Sequence, residues 1–340
     1  MLDNGLIRVA LLRGGGHIAE VRLLTKDPKT NVNPMRVPHY PTIEPYEYDP
    51  AKHDALYGSD PHRWLSSGYM GHLLCFPSYG PPSSPEEVNA GLGNHGEAPI
   101  VEWKKLGVDQ GDGSLTFRYG AMLEKTQYRV GRAITMEKGK RMVRVEEWVE
   151  NLTSFDRPIN WMQHATFGPP FVKPGETFLD MSATKGQNTE TEVNWADGKM
   201  RVMPSTPHSG NYTTFLLDPH RDEQFFTMYN ANYNVLIGYL FPAGGNPWIA
   251  DWQENQRVKQ LPWNGEVIAR GIEFGSTPYA EGLRKSVERG ALFGVPAYRW
   301  IGAKQRLETG FTIFLEEIPA GFAGVRDVRR EAGTPAVVPR

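Results

Sequence analysis

The chain predicts an all-β fold, a large two-sheet β-sandwich, and three observations carry that prediction. Short runs of strand-like composition recur along the 340 residues with turn signals between them. Glycine and proline are plentiful, at 36 and 27 residues, as many tight turns require. No long segment repeats apolar residues at the period of an amphipathic helix, which favours sheet packed on sheet over helices packed on a sheet.

Taken in order, "GLIRVALLRGGGHIAEVRLL" (5 to 24) reads as two short strands broken by three glycines. Residues 25 to 64 are rich in proline and aromatics, too broken for a strand, and are expected to form a long packed loop. That loop either covers one end of the sandwich or walls a cleft. The stretches "GSLTFRYGAML", "TQYRVGRAITME", "KRMVRVEEWVENLT" and "QFFTMYNANYNVLIGYLF" follow as strands. In "RMVRVEEWVEN" each face mixes apolar and charged side chains, which predicts a strand covered on both sides. One domain is expected over 1–325, followed by a flexible C-terminal tail at 326–340 that is charged and then rich in Pro and Ala. No internal repeat is present.

Composition excludes several classes. With 37 basic against 39 acidic residues spread along the chain, there is no basic stripe to neutralise phosphates, so no nucleic-acid partner is expected. Cys75 is the lone cysteine, which rules out an intrachain disulfide and a cysteine-based metal cluster within one chain. No run approaches the ~20 apolar residues that span a bilayer, and the start lacks the charged-then-apolar pattern of a signal peptide. The expectation is a cytoplasmic protein with no membrane partner; its oligomeric state is left open.

Three polar residues stand in unusual company. His95 sits in "GLGNHGEAPIVEW" beside Asn94 and between glycines that permit tight turns and close ligand approach. His164 lies in "WMQHATFGPPF" among aromatics that would disfavour its charged form, with Trp161 and Phe167 nearby. Glu273 is flanked by Ile272 and Phe274 in "ARGIEFGSTPYAEG", a carboxylate that needs a partner if buried. A fourth stretch, "FPAGGNPWIADWQENQR" (241 to 257), gathers Trp248, Asp251, Trp252 and Gln253 in one short span. Flat aromatic faces suit the C–H faces of a sugar, and amides and carboxylates suit its hydroxyls.

The order of these segments resembles the aldose 1-epimerase, or galactose mutarotase-like, superfamily. The likeness rests on "NGLIRVALLRGGGHIAEVRL" as an opening hairpin, on "GHLLCFP", and on "NHGEAPIVEW". It continues through "VENLTSFDRPINWMQHATFGPPF" and "GIEFGSTPYAEG". It spans roughly residues 4 to 318 and marks a divergent member. It implies the family's β-supersandwich and a cofactor-independent sugar mutarotase or epimerase acting on a small carbohydrate. Carried onto matching positions, Glu273 is the base, His164 the acid, and His95 a second donor. Trp248, Asp251, Trp252, Gln253, Asn94 and Phe167 form the substrate-binding set. The family's Asn-Arg pair after Phe-Pro is missing from "FPSYGPPSSPEE", and Arg63, Arg129 or Arg132 stand as replacements.

Two other readings remain open at this level. His95, Glu97, His164 and Glu273 could form a two-His, carboxylate metal site in an isomerase or lyase. The chain could also be a catalytically silent glycan-binding sandwich that keeps Trp248 and Trp252.

Overall fold

The structure, a computed structural model, describes residues 1–189 and 191–340, and it is mostly β with two large antiparallel sheets. One sheet has ten strands. From its edge it runs Leu2–Asp3, Ile7–Leu11, Ile18–Leu23, His72–Cys75 and Met162–Phe167. It continues through Ile268–Gly275, Trp248–Asn255, Ser209–Leu217, Ala183–Asn188 and Thr191–Asn194. The other has eight, in the order Thr177–Met181, Glu223–Asn230, Val235–Pro242, Arg306–Glu317, Met142–Asn151, Tyr128–Glu137, Ser114–Leu123 and Lys104–Gly111. Every strand run anticipated from composition is found, including the glycine-broken pair at the start.

Strand alternation decides what faces the core. On Met162–Phe167 the residues Gln163, Ala165 and Phe167 point between the sheets, and on Ile268–Gly275 so do Arg270, Ile272 and Phe274. Phe274 stacks on Phe241 at a 4.0 Å centroid separation, and Phe226 on Tyr239 at 4.6 Å. Each such aromatic stabilises the sandwich by about 1.5–3 kcal/mol through burial.

The strand Met142–Asn151 departs from expectation. Val143, Val145, Glu147, Val149 and Asn151 are buried, while Arg144 and Glu146 are exposed, so it is covered on one face rather than both. Glu147 is tolerated inside because it is fully paired. Arg132 Nε donates to it at 2.5 Å, and the Gln163 amide and the Trp161 indole N–H also donate to it. The supposed flexible tail is also corrected. Val325–Glu331 and Thr334–Pro339 form a hairpin, with Val325 and Val328 packed against Phe225, Tyr229 and Leu236. Apolar residues hidden among charges tie this segment down.

The 25 to 64 segment holds a helix, Pro50–Tyr57, begun by the Asp49 side chain accepting from Ala51 N–H. Its aromatics Tyr40, Tyr48, Tyr57 and Trp64 pack on one another, Tyr40–Tyr57 and Tyr48–Trp64 edge to face and Tyr48–Tyr57 tilted. The segment covers the sheet, and its end, with the residues that follow, also walls a cavity.

Candidate active site

Glu273 and His164 are brought together by sheet register. They lie directly opposite each other on adjacent antiparallel strands, on the face turned away from the core. His164 Nε2 and Glu273 Oε1 are 2.9 Å apart, and both side chains are almost fully buried. Glu273 Oε2 is buried with no hydrogen-bond partner. On the other side of the imidazole, Nδ1 lies 2.9 Å from Thr166 Oγ1 and 3.3 Å from the Tyr69 hydroxyl, and those two hydroxyls contact each other. The dyad is therefore clamped at one end and free at the other.

Space for the dyad comes from Gly271, which faces Trp252 across the neighbouring strand. A Cβ at Gly271 would stand 2.9 Å from both Glu273 Oε1 and Trp252 Cε3, and 3.0 Å from His164 Cε1. Gly271→Ala is expected to push the dyad apart, and any chemistry that depends on the pair should slow roughly 10²-fold, since displacements of this size cost that much in catalysis. Thermal melting should shift far less than activity; a variant of unchanged activity would show the dyad geometry to be dispensable.

His95 completes the group. It takes a left-handed backbone conformation, φ 67°, held by its own N–H donating to Gly80 O at 2.8 Å. The Gly80 N–H donates to His95 Nδ1 at 3.2 Å, which leaves Nε2 as the protonated, donating nitrogen. Its ring centroid is 5.1 Å from that of His164. Burial lowers its pKa to about 3, with His62 adding to the effect, so it is neutral at physiological pH.

Burial also holds His164 well below the ordinary histidine range, with His95 and His72 reinforcing it. The same burial pushes Glu273 well above the ordinary carboxylate range. Burial thus favours the uncharged form of each group, and the 2.9 Å between Oε1 and Nε2 is short enough for a proton to pass between them.

These residues open into a cavity of about 690 Å³. Asn94 and Trp252 line it, together with Tyr69, Tyr212, Arg257 and Trp263. The other members of the expected binding set lie elsewhere. Phe167 is fully buried between the sheets against Phe226 and Tyr239, because odd-numbered positions of its strand face the core. Asp251 and Gln253 face inward for the same reason. Arg270 donates to both Asp251 carboxylate oxygens, at 2.9 and 2.8 Å, and Gln253 donates to Asp251 at 2.8 Å. Trp248 shares the outer face with Trp252 but is fully buried, its N–H donated to Pro296 O at 2.9 Å.

Nor does the four-residue metal set assemble. Glu97 turns away and accepts the backbone N–H groups of Lys125 and Thr126 and the Thr126 hydroxyl. Among the described residues no group of three or more His, Cys, Asp or Glu is placed to hold a metal. Of the arginines offered as replacements, Arg132 is paired with Glu147 in the interior, Arg129 with Glu150 on the other sheet, and Arg63 with Asp54. The guanidinium on the cavity is Arg257, next to Glu254. Sequence reasoning missed Tyr69, Tyr212, Arg257 and Trp263. Tyr212 pairs in register with Trp252, so a known strand pairing would have found it.

No protein-family model and no curated protein matches the sequence. Solved structures do match, at low identity, and among them are galactose mutarotase-like and aldose 1-epimerase-like proteins. The Slr1438 protein from Synechocystis sp. PCC 6803 is 16% identical with a TM-score of 0.62, over 93% of this chain and 94% of that one. A candidate aldose 1-epimerase from Escherichia coli K12 is 12% identical with a TM-score of 0.60, over 93% and 98%. A galactose mutarotase-like protein from Clostridium acetobutylicum is 13% identical with a TM-score of 0.58, over 93% and 94%. The fold of this chain is the galactose mutarotase-like supersandwich.

Proposed function

We propose that the protein is a cofactor-independent sugar mutarotase or epimerase that interconverts anomers with Glu273 and His164. The observation that carries this is the unpartnered Glu273 Oε2, buried at the cavity floor beside an imidazole whose other nitrogen is clamped. A buried carboxylate oxygen without a partner is costly, and a sugar hydroxyl would satisfy it.

The anomeric O–H donates to Oε2 and favours the carboxylate form, so the mobile proton moves to His164 Nε2. Glu273 then takes the anomeric proton while His164 Nε2–H protonates the ring oxygen. The bond between the anomeric carbon and the ring oxygen breaks, and the aldehyde C=O forms. Rotation of the carbonyl and the reverse proton transfers close the other anomer, leaving the dyad as it began. His95 Nε2–H steadies the ring oxygen or a neighbouring hydroxyl, and Trp252 offers a face to the ring.

Polarimetry on freshly dissolved single anomers of neutral and acidic aldoses tests this. His164→Asn is expected to slow the enzymatic rate about 10²- to 10⁴-fold. Because acid and base act as one unit, combining it with Glu273→Gln should cost little more than the worse single change. Additive losses would show that the two side chains do not share a proton path.

A further inference from the structure

We infer that Arg36 is a positioning residue for the reacting pair, its buried guanidinium seated on the Tyr69 ring and acting through Tyr69 on the His164 imidazole as a fixed positive charge. The inference rests on the reading of Glu273 and His164 as that pair.

Arg36, Arg132 and Arg270 are buried. Arg132 is paired with Glu147 and Arg270 with Asp251, whereas Arg36 meets no carboxylate among the described residues. Arginine is almost never fully buried without a partner, because stripping water from its charge is costly. The groups around Arg36 are all neutral. It donates to the Tyr69 carbonyl and the Tyr40 hydroxyl, and its Cζ lies 4.7, 5.6 and 5.9 Å from the ring centroids of Tyr69, Trp263 and Tyr40. The ring faces offset part of the desolvation and leave the net charge in place. Backbone contacts set that charge behind the pair. The Arg36 N–H donates to Thr166 O, and its carbonyl accepts from Gly71 N–H, each at 2.9 Å. A Cβ at Gly168 would stand 3.0 Å from Arg36 Cα, so glycine there lets the segment lie against the strand that carries His164.

Tyr69 then meets both groups. Its ring stands edge-on to the imidazole at a centroid separation of 5.7 Å, and its hydroxyl contacts His164 Nδ1 and Thr166 Oγ1. A guanidinium and an imidazole thus lie against one tyrosine ring, away from the solvent that would screen them. Arg36 does not line the cavity, so its action reaches the pair through Tyr69 rather than through a ligand. Other groups near the pair carry less charge or are better screened. Burial holds His95 and His72 neutral, and it keeps the Tyr69 and Tyr212 hydroxyls and the Cys75 thiol protonated. Asp60, His62 and Arg257 stand on the cavity wall in contact with solvent, and Arg132 lies between the sheets with its charge matched by Glu147. Burial, His95 and His72 disfavour the imidazolium, and repulsion from Arg36 adds to them. A fixed positive charge favours the pair with no proton and disfavours the pair with two, so both limbs of its titration lie lower than they would without Arg36.

The pair works with one proton, so kcat/KM for anomer exchange follows a bell against pH. The test compares that bell for the wild type, Arg36→Gln, Arg36→Met and Arg36→Lys. Gln keeps a donor for the Tyr69 carbonyl and Met fills the space among the three rings, and both lack the charge. In each the bell is expected to move to higher pH by about one unit, the effect of a single charge at this remove in a protein interior. Lys should hold it at the wild-type position. A lower rate on an unmoved bell would assign Arg36 a structural role, overturning the inference and leaving the reaction standing. Where one uncharged variant fails to fold, the other carries the comparison. If no sugar is turned over, the reaction reading fails, and an NMR titration of the Glu273 carboxyl carbon, assigned in isotope-labelled protein by its loss in Glu273→Gln, decides the role of Arg36. A midpoint about one pH unit higher in the uncharged variants and restored by Lys supports it, and an unchanged midpoint overturns it.

Discussion

Replacing Glu273 by Gln is expected to lower turnover about 10²- to 10⁴-fold while sugar affinity stays close to that of the wild type. Gln preserves the shape at the cavity floor and can still meet the sugar hydroxyl, but it cannot take the anomeric proton. The same substitution has an opposite effect on stability, and the sign follows from burial. Glu273 has a pKa raised in the folded protein, so the folded state holds its proton more tightly than the unfolded chain does. Stability is therefore lost as pH rises from the unfolded value near ~4.5 toward the folded one. Gln carries no such penalty. The variant should melt higher than the wild type at pH 8, with the gap closing as pH falls toward 4.5. A variant with full activity, or one less stable at pH 8, would assign the carboxylate a structural role instead.

Asp251→Ala is expected to act on the fold rather than on the chemistry. Asp251 and Arg270 are both wholly buried and joined by two hydrogen bonds, and Arg270 donates further to the carbonyls of Met200 and Arg201. Removing the carboxylate strands a guanidinium between the sheets, at a cost of about 3–5 kcal/mol. The urea midpoint should drop sharply, and whatever protein remains folded should bind sugar normally, because the pair does not line the cavity. Lost affinity at unchanged stability would return Asp251 to the binding set.

The contrast between these two residues shows what the sequence could convey. Strand composition, glycine breaks and the order of His95, His164 and Glu273 were legible because they depend on local pattern or on likeness to known motifs. Alternation in "WIADWQEN" already separates Trp248 and Trp252 from Asp251 and Gln253. Which of those faces meets the second sheet depends on long-range packing, and the charged pair turned out to be inside. Trp248 and Trp252 share a face, yet only the second is open. A hairpin of Ala291–Leu292 and Val295–Pro296, remote in sequence, reaches Trp248 through the Pro296 carbonyl. Tyr69, Arg257 and Trp263 reach the site from loops whose course no periodicity encodes. The orphaned Oε2 of Glu273, which carries most of the functional argument, exists only once its neighbours are placed.

The central claim is that Glu273 and His164 open and close a sugar ring. Saturation transfer between the two anomeric proton signals of a reducing sugar at equilibrium measures this directly, with wild-type protein and Glu273→Gln compared at equal concentration. Exchange well above the buffer rate is expected for at least one sugar with the wild type, and near the buffer rate with the variant. Exchange at the buffer rate for every mono- and disaccharide offered to the wild type, or equal acceleration by both proteins, would contradict it.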